Sequence, residues 1–157
     1  MTSWIRLATM ASLAFLCGCP DTAVFVDASI ENGNLAMTQS TLSTGVSGSF
    51  DLRLHLGDRA SGSSQVDLLG FSIVNGAAEL VDPVGATTDP AFPVNVAVDS
   101  DVVVRFTLAA DDNLVENTMV DALCAAPGAV IRGAVNDALR DGSVDVSSMP
   151  IPVSGCP

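Results

Sequence analysis

The chain contains no lysine and no tyrosine, and its single tryptophan, Trp4, lies near the N-terminus. Its only strongly basic side chains are six arginines, against 18 acidic residues, which gives a formal net charge of −12. Phosphate backbones need cationic partners, so this balance argues against nucleic acid as a partner. The scarcity of Trp and Tyr also removes the usual aromatic platforms of sugar sites and the usual anchors of protein interfaces.

Histidine occurs once, as His55, which argues against the commonest hydrolytic and metal chemistry. A serine nucleophile needs a base, and a zinc site needs three or four Cys or His ligands. Residues 45–49 come nearest to a nucleophile elbow and lack its final glycine. His55 falls on the polar side of an alternating strand, where an exposed histidine is the ordinary explanation. We therefore expect a protein that is not an enzyme and needs no cofactor.

The N-terminal residues form a charged start, an apolar stretch and a cysteine motif. Arg6 precedes the apolar residues 7–16, and L-C-G-C follows at positions 16–19. This order resembles the signal peptide and lipobox of bacterial lipoproteins. The resemblance implies that residues 1–18 are cleaved and that Cys19 is lipidated as the first residue of the mature chain.

Three alternatives to lipidation at Cys19 are weaker. A retained membrane helix is too short, because ten helical residues span about 15 Å of a roughly 30 Å hydrocarbon core. If the segment were an ordinary secretory signal, Cys19 would follow Leu16-Cys17-Gly18 only by chance. Acylation at Cys17 would put bulky Phe15 and Leu16 just before the cut. We expect a lipid-anchored protein of the bacterial cell envelope, on the periplasmic face or cell surface, with the outer membrane favoured over the inner.

The remainder predicts a short tether and one folded domain. Residues 19–22 form the lipidated N-terminus and tether, and residues 23–157 form the domain. A hydrophobic fraction of 48% and a mean hydropathy of +0.46 favour a packed core over the disorder that acidity can produce. Cys124 and Cys156 remain as an even pair in an exported protein, which predicts a disulfide rather than two buried free thiols.

Alternating apolar residues predict short strands, with turn residues between them. Asn32-Gly33 and Asn75-Gly76 are typical of tight hairpin turns, and Asn113 followed by Glu116 resembles a helix capping box. The predicted strands are residues 23–30, 50–56, 66–74, 94–98 paired with 102–108, and 129–135 paired with 143–146, with further short pieces at 35–38, 77–81 and 151–153 and a helix over 113–123. The pattern predicts a mainly β protein, an antiparallel β-sandwich of about seven strands with one short helix.

The strand rhythm of residues 50–108 loosely resembles the immunoglobulin-like sandwich domains of exported bacterial proteins. The resemblance implies an architecture and carries over no binding residue.

Acidic turns offer the one candidate ligand site. Calcium takes six to eight oxygens and tolerates irregular loops, so Asp99, Asp101, Asp141 and Asp145 are weak calcium candidates. The competing explanation is that Asp favours turns and helix starts, and no EF-hand pattern is present. The leading hypothesis is a non-enzymatic interaction or structural module that is anchored to the membrane by acyl chains and has a possible envelope protein partner. A small-ligand or calcium-binding lipoprotein is the alternative.

Replacing the acylated cysteine tests the anchor. The Cys19→Ser chain should remain an uncleaved precursor or become a soluble product that no longer partitions with membranes in detergent. Each buried CH₂ contributes about 0.8 kcal/mol, so loss of the acyl chains should change partitioning clearly. A Cys19→Ser chain that is still processed and lipidated would refute the assignment.

Overall fold

The computed structural model describes residues 24–157, so the predicted signal peptide, Cys19 and the tether lie outside the described residues. The described chain has eleven strands, one short α-helix and two 3-10 turns. In chain order the elements are β1 (Asp27–Gln39), β2 (Thr44–Leu56), β3 (Ser64–Asn75), β4 (Ala78–Val81), β5 (Ala86–Asp89), β6 (Val94–Val96), β7 (Ser100–Leu108), a 3-10 turn (Ala110–Asp112), β8 (Leu114–Val115), a second 3-10 turn (Asn117–Met119), α1 (Val120–Cys124), β9 (Val130–Asp137), β10 (Gly142–Ser147) and β11 (Val153–Ser154).

The strands form two sheets that pack face to face. Sheet A has the order β11-β1-β2-β7-β5, with β8 also paired to β2, and sheet B has the order β10-β9-β3-β4, with β6 also paired to β3. All pairs are antiparallel except β1 with β11. The predicted β-sandwich is confirmed, with eleven strands where about seven were expected. Among residues 24–157 the structure contains no helical segment with the length and hydropathy that a membrane span requires.

Period-two alternation builds the core between the sheets. In β2 the residues Phe50, Leu52 and Leu54 are fully buried, while Arg53 between them is exposed. One apolar cluster collects the inner faces of both sheets. Burying one face of each strand removes its apolar surface from water, which is the dominant favourable term in folding.

Three phenylalanines mark the centre of this core. Phe50 of β2 and Phe106 of β7 stack with ring centroids 4.5 Å apart. Phe71 of β3, from the other sheet, meets both rings edge-on at 5.3 and 5.2 Å. Offset and edge-to-face contacts are the favoured aromatic geometries, so this cluster joins the two sheets directly.

The predicted hairpin at Asn32-Gly33 is wrong. Strand β1 continues through these residues, and its pairing with β2 shifts register between Glu31 and Asn34. Asn32 has a φ of 52°, and its side-chain Nδ2 donates to Asp51 Oδ2 at 2.9 Å. A residue with positive φ can occur in a β-bulge as well as in a hairpin turn. Here β2 pairs with both halves of β1, so the chain forms a bulge and does not turn back.

The predicted hairpin of residues 94–98 with 102–108 is also wrong. Strand β6 pairs with β3 in sheet B, whereas β7 pairs with β2 and β5 in sheet A. The turn at Asp99, with φ of 56°, therefore carries the chain from one sheet to the other. Strands of either sheet bury one face in the same core, so their alternation is identical and does not reveal the sheet to which they belong.

The predicted helix over residues 113–123 is reduced to α1 and the 3-10 turn before it. Asn113 is fully buried and is not the N-cap of α1, which is Met119. Its side-chain oxygen accepts from the Gly85 amide at 2.8 Å, and its Nδ2 donates to the carbonyls of Gly85 and Ala109, both at 2.8 Å. The side chain thus satisfies backbone groups of two loops, a role that helical periodicity cannot reveal.

Two other predicted connections are confirmed. Asn75 and Gly76 begin the tight turn between β3 and β4. Strands β9 and β10 form the predicted hairpin.

The sulfurs of Cys124 and Cys156 lie at disulfide-bond distance, with Cα atoms 5.7 Å apart, as the predicted disulfide requires. The pair joins the end of α1 to the C-terminal tail.

A buried carboxylate fastens the start of β1 to sheet B. Asp137 has no solvent exposure. Its Oδ2 accepts from the Val26 amide at 3.0 Å, and its Oδ1 accepts from the Ser64 hydroxyl and from the Leu139 amide at 3.0 Å. These bonds connect three chain segments, because buried polar groups need partners and a carboxylate can accept from several donors.

Asp137→Asn should destabilise the domain by about 1–3 kcal/mol, because the amide nitrogen of Asn would leave one buried backbone donor without an acceptor. Chemical denaturation of the two proteins measures the difference. The exposed β10 residue Asp145 supplies the control, since Asp145→Asn should change stability by less than about 0.5 kcal/mol. Equal stability of Asp137→Asn and the wild type would contradict this role for the carboxylate.

Candidate functional site

The four weak calcium candidates fall into two separate pairs. Asp99 and Asp101 lie at the start of β7 in sheet A, and Asp141 and Asp145 belong to the β9–β10 hairpin of sheet B. Asp99 and Asp141 have φ of 56° and 54°, which Asp adopts in turns more readily than most residues. Among residues 24–157, no three His, Cys, Asp or Glu side chains are grouped so as to hold a metal ion.

The outer face of sheet A carries ion pairs that link neighbouring strands. Nε and Nη2 of Arg53 both lie 2.9 Å from Oδ1 of Asp101, and Nδ1 of His55 lies 3.0 Å from the same oxygen. Nη1 of Arg105 lies 3.0 Å from Oδ1 of Asp51, directly across the β2–β7 register. His55 lies on the polar face, as the alternation predicted. The arginines of this face therefore have carboxylate partners within the face.

One of these pairs changes the titration of its members. Hydrogen bonding by Arg53 lowers the pKa of the Asp101 carboxyl below its ordinary value, and His55 adds to this effect. The same pairing raises the pKa of Arg53. A cation that donates to a carboxylate favours its ionised form.

The outer face of sheet B instead carries a groove of about 660 Å³. A β-bulge shifts the register between Leu68 and Gly70 of β3, and the extra residue, Leu69, is 60% exposed at the side of the groove. A Cβ at Gly133 would collide with the Gly70 carbonyl and the Phe71 ring. Strands β3 and β9 approach closely here because Gly133 of β9 has no side chain. The groove is lined by Leu69, Gly70, Phe71, Ser72, Asp82, Pro83, Arg132, Gly133, Ala134, Asp145, Val146 and Ser147.

An acidic hollow of about 500 Å³ adjoins the groove. The two share Asp82 and Pro83 at their common border. Five carboxylates line the hollow, together with the apolar side chains of Leu80, Val81, Leu114 and Met119; the carboxylates are those of Glu79, Asp82, Asp111, Asp112 and Glu116.

Only one of these five carboxylates has a basic partner in the part of the chain that the structure describes. Oε2 of Glu79 lies 3.6 Å from Nη2 of Arg132. The other four make no ion pair with any residue of the range 24–157. These four carboxylates are not grouped for one metal ion, and each is exposed and can meet a separate cationic group.

Sequence reasoning did not identify the groove or the hollow. The bulge had one signal, the run Leu68-Leu69-Gly70, because a glycine that interrupts strand alternation is typical of a bulge. The hollow had no comparable signal. Its carboxylates come from residues 79–82 and from residues 111–116, which are distant in sequence and adjacent only in the folded domain.

Comparisons with protein-family models, with curated proteins and with solved structures find no match to this chain.

The Asp101 pair predicts a defined pH dependence. The pKa of the Asp101 carboxyl is lower in the folded than in the unfolded chain. The pair with Arg53 therefore stabilises the fold at pH values above the unfolded-state pKa, and this stabilisation is lost as the pH falls through the folded-state pKa. Thermal melts of the wild type and Asp101→Asn should differ most near neutral pH and converge in acid.

A double-mutant cycle with Arg53→Gln isolates this effect from other titrating groups. The coupling between Asp101 and Arg53 should be measurable near neutral pH and vanish in acid. A coupling that is independent of pH would contradict the assignment.

Proposed function

We propose that this protein is a lipid-anchored, non-enzymatic module of the bacterial envelope whose acidic hollow and adjoining groove bind a basic segment of another envelope protein. The observation that carries the proposal is the hollow itself, in which four of five carboxylates have no basic partner within residues 24–157. Unpaired carboxylates in a concave surface attract cations and raise their local concentration.

The chemistry of the hollow selects the kind of partner. Exposed carboxylates that are not grouped around one point fit a series of Arg or Lys side chains on one chain, whereas a single calcium ion needs its oxygens gathered around one point. The exposed Leu69 and Leu114 flank the surface and offer apolar contacts to the same segment. The partner is therefore a basic segment with apolar residues among its charges.

The anchor supports the same proposal. Only residues 20–23 separate Cys19 from the first described residue, and an extended chain reaches at most about 3.3–3.6 Å per residue. A domain on such a short tether stays near its membrane. Its partners are then envelope proteins that come to that surface.

Neutralising the hollow should weaken the binding of a basic peptide. The variant Asp111→Asn/Asp112→Asn/Glu116→Gln removes three charges while keeping side-chain size. Exposed ion pairs contribute roughly 0.2–1 kcal/mol each, so the Kd for a fluorescent Arg-Ser-Leu repeat peptide should rise about tenfold. Fluorescence anisotropy at moderate salt measures this change.

The matched control is Asp27→Asn/Asp58→Asn/Asp89→Asn, which removes the same charge at exposed positions on β1, the β2–β3 loop and β5. It should leave the peptide affinity nearly unchanged. Equal weakening by both variants would show attraction to net charge rather than to the hollow. Failure of the wild type to bind the peptide would overturn the proposed partner.

A further inference from the structure

One end of the sandwich holds the start of the domain. The register pairs Asp27 with His55, Leu56 with Ser100, and Ser64 with Val96. Residues 24–26, the β2–β3 loop (57–63), the β6–β7 turn (97–99) and the β9–β10 turn (138–141) therefore lie together. We name these four segments the anchor end.

The opposite end is the distal end. It contains the β1–β2 loop (40–43), the β3–β4 turn and the chain from residue 109 to residue 129, because Thr44 pairs with Val115 there. The acidic hollow includes Asp111 and Asp112 and so lies toward this end. With a rise of about 3.3 Å per residue, the 13-residue strand β2 separates the two ends by about 40 Å.

The anchor end exposes apolar side chains that the core does not use. Val24 is 43% exposed, Phe25 is 42% exposed and Val98, from a different segment, is 38% exposed. Phe25 is not free to swing away, because the next residue donates its amide to buried Asp137 at 3.0 Å. The guanidinium of Arg140 lies over the Phe25 ring, 6.0 Å from its centroid.

We infer that the anchor end rests on the bilayer, with Phe25, Val24 and Val98 in the headgroup region. The inference rests on the proposed lipidation of Cys19. Val24 follows Cys19 by five residues, so its Cα cannot lie farther than about 18 Å from the acylated residue. Apolar side chains held that close to a lipid surface gain free energy by entering the interface.

The charges of the anchor end select the type of lipid. Arg59 and Arg140 can meet headgroup phosphates, and Asp58, Asp99 and Asp141 can meet headgroup ammonium groups. Strongly anionic membrane surfaces attract basic segments, so the excess of carboxylates at the anchor end is repelled by such a surface. A zwitterionic surface of phosphatidylcholine or phosphatidylethanolamine therefore fits the end best. In this orientation the acidic hollow points away from the membrane, toward a partner.

Single tryptophans can report the orientation without background, because the chain has no tyrosine and Trp4 lies in the segment predicted to be cleaved. The probe is the lipidated chain in phosphatidylcholine vesicles, with and without brominated acyl chains that quench tryptophan. The reporters are Phe25→Trp and Val98→Trp at the anchor end. The control is Leu42→Trp, since Leu42 is 93% exposed at the distal end.

We expect the emission of Phe25→Trp and Val98→Trp to shift to the blue on vesicles and to lose intensity with brominated lipid, while that of Leu42→Trp stays unchanged. Val98→Trp is decisive, because its position is far in sequence from the tether. Thermal melts establish that each variant is folded; Val24→Trp replaces Phe25→Trp, and Ala97→Trp from the same exposed turn replaces Val98→Trp, if either is not.

The possible failures are distinguishable. Mass spectrometry of the mature chain and cosedimentation with vesicles test lipidation separately. If the chain is lipidated and cosediments but Val98→Trp is quenched no more than Leu42→Trp, the orientation is wrong and the anchor stands. If the chain is not lipidated, both proposals fall. A blue shift in native membranes but not in lipid vesicles would assign the anchor end to a protein contact and overturn the lipid contact.

Discussion

Burial of the inner face of each sheet against the other is the constraint on which the other features of this domain depend. The cluster of Phe50, Phe71 and Phe106 takes rings from both sheets, so neither sheet has a complete core alone. Each strand must present alternate residues to this shared layer. At the bulges of β1 and β3 the residues Asn32 and Leu69 are exposed, so these departures from alternation reshape the surface rather than the core.

Polar contacts and a cysteine pair fasten the two ends of the sandwich. At the anchor end Asp137 holds the start of β1 against sheet B. At the distal end Asn113 ties together two loops, and the pair Cys124–Cys156 fixes the C-terminal tail. These contacts hold the chain segments of each end in place, as the proposed membrane-facing and partner-facing surfaces require. A buried polar contact of this kind adds specificity because its loss leaves unsatisfied groups behind.

The two outer faces have different electrostatic character. Sheet A pairs Arg53 and Arg105 with carboxylates on neighbouring strands, so that face is internally matched. Beside sheet B, Arg132 meets only one of the five carboxylates of the hollow. A chain with six basic and 18 acidic residues cannot neutralise every acidic group. The fold concentrates part of this excess in one concave surface, and this is the basis of the proposed preference for a basic partner.

The sequence by itself determined the sandwich class, the β9–β10 hairpin, the turn at Asn75 and the pairing of Cys124 with Cys156, because these follow from local alternation, turn chemistry and cysteine count. Only the tertiary structure decided the sheet to which β6 and β7 belong, the bulge at Asn32 and the buried role of Asn113. It also decided the groove and the hollow. Alternation reports that a residue faces the core but does not identify the strand opposite, and a surface built from distant segments exists only after those strands have paired.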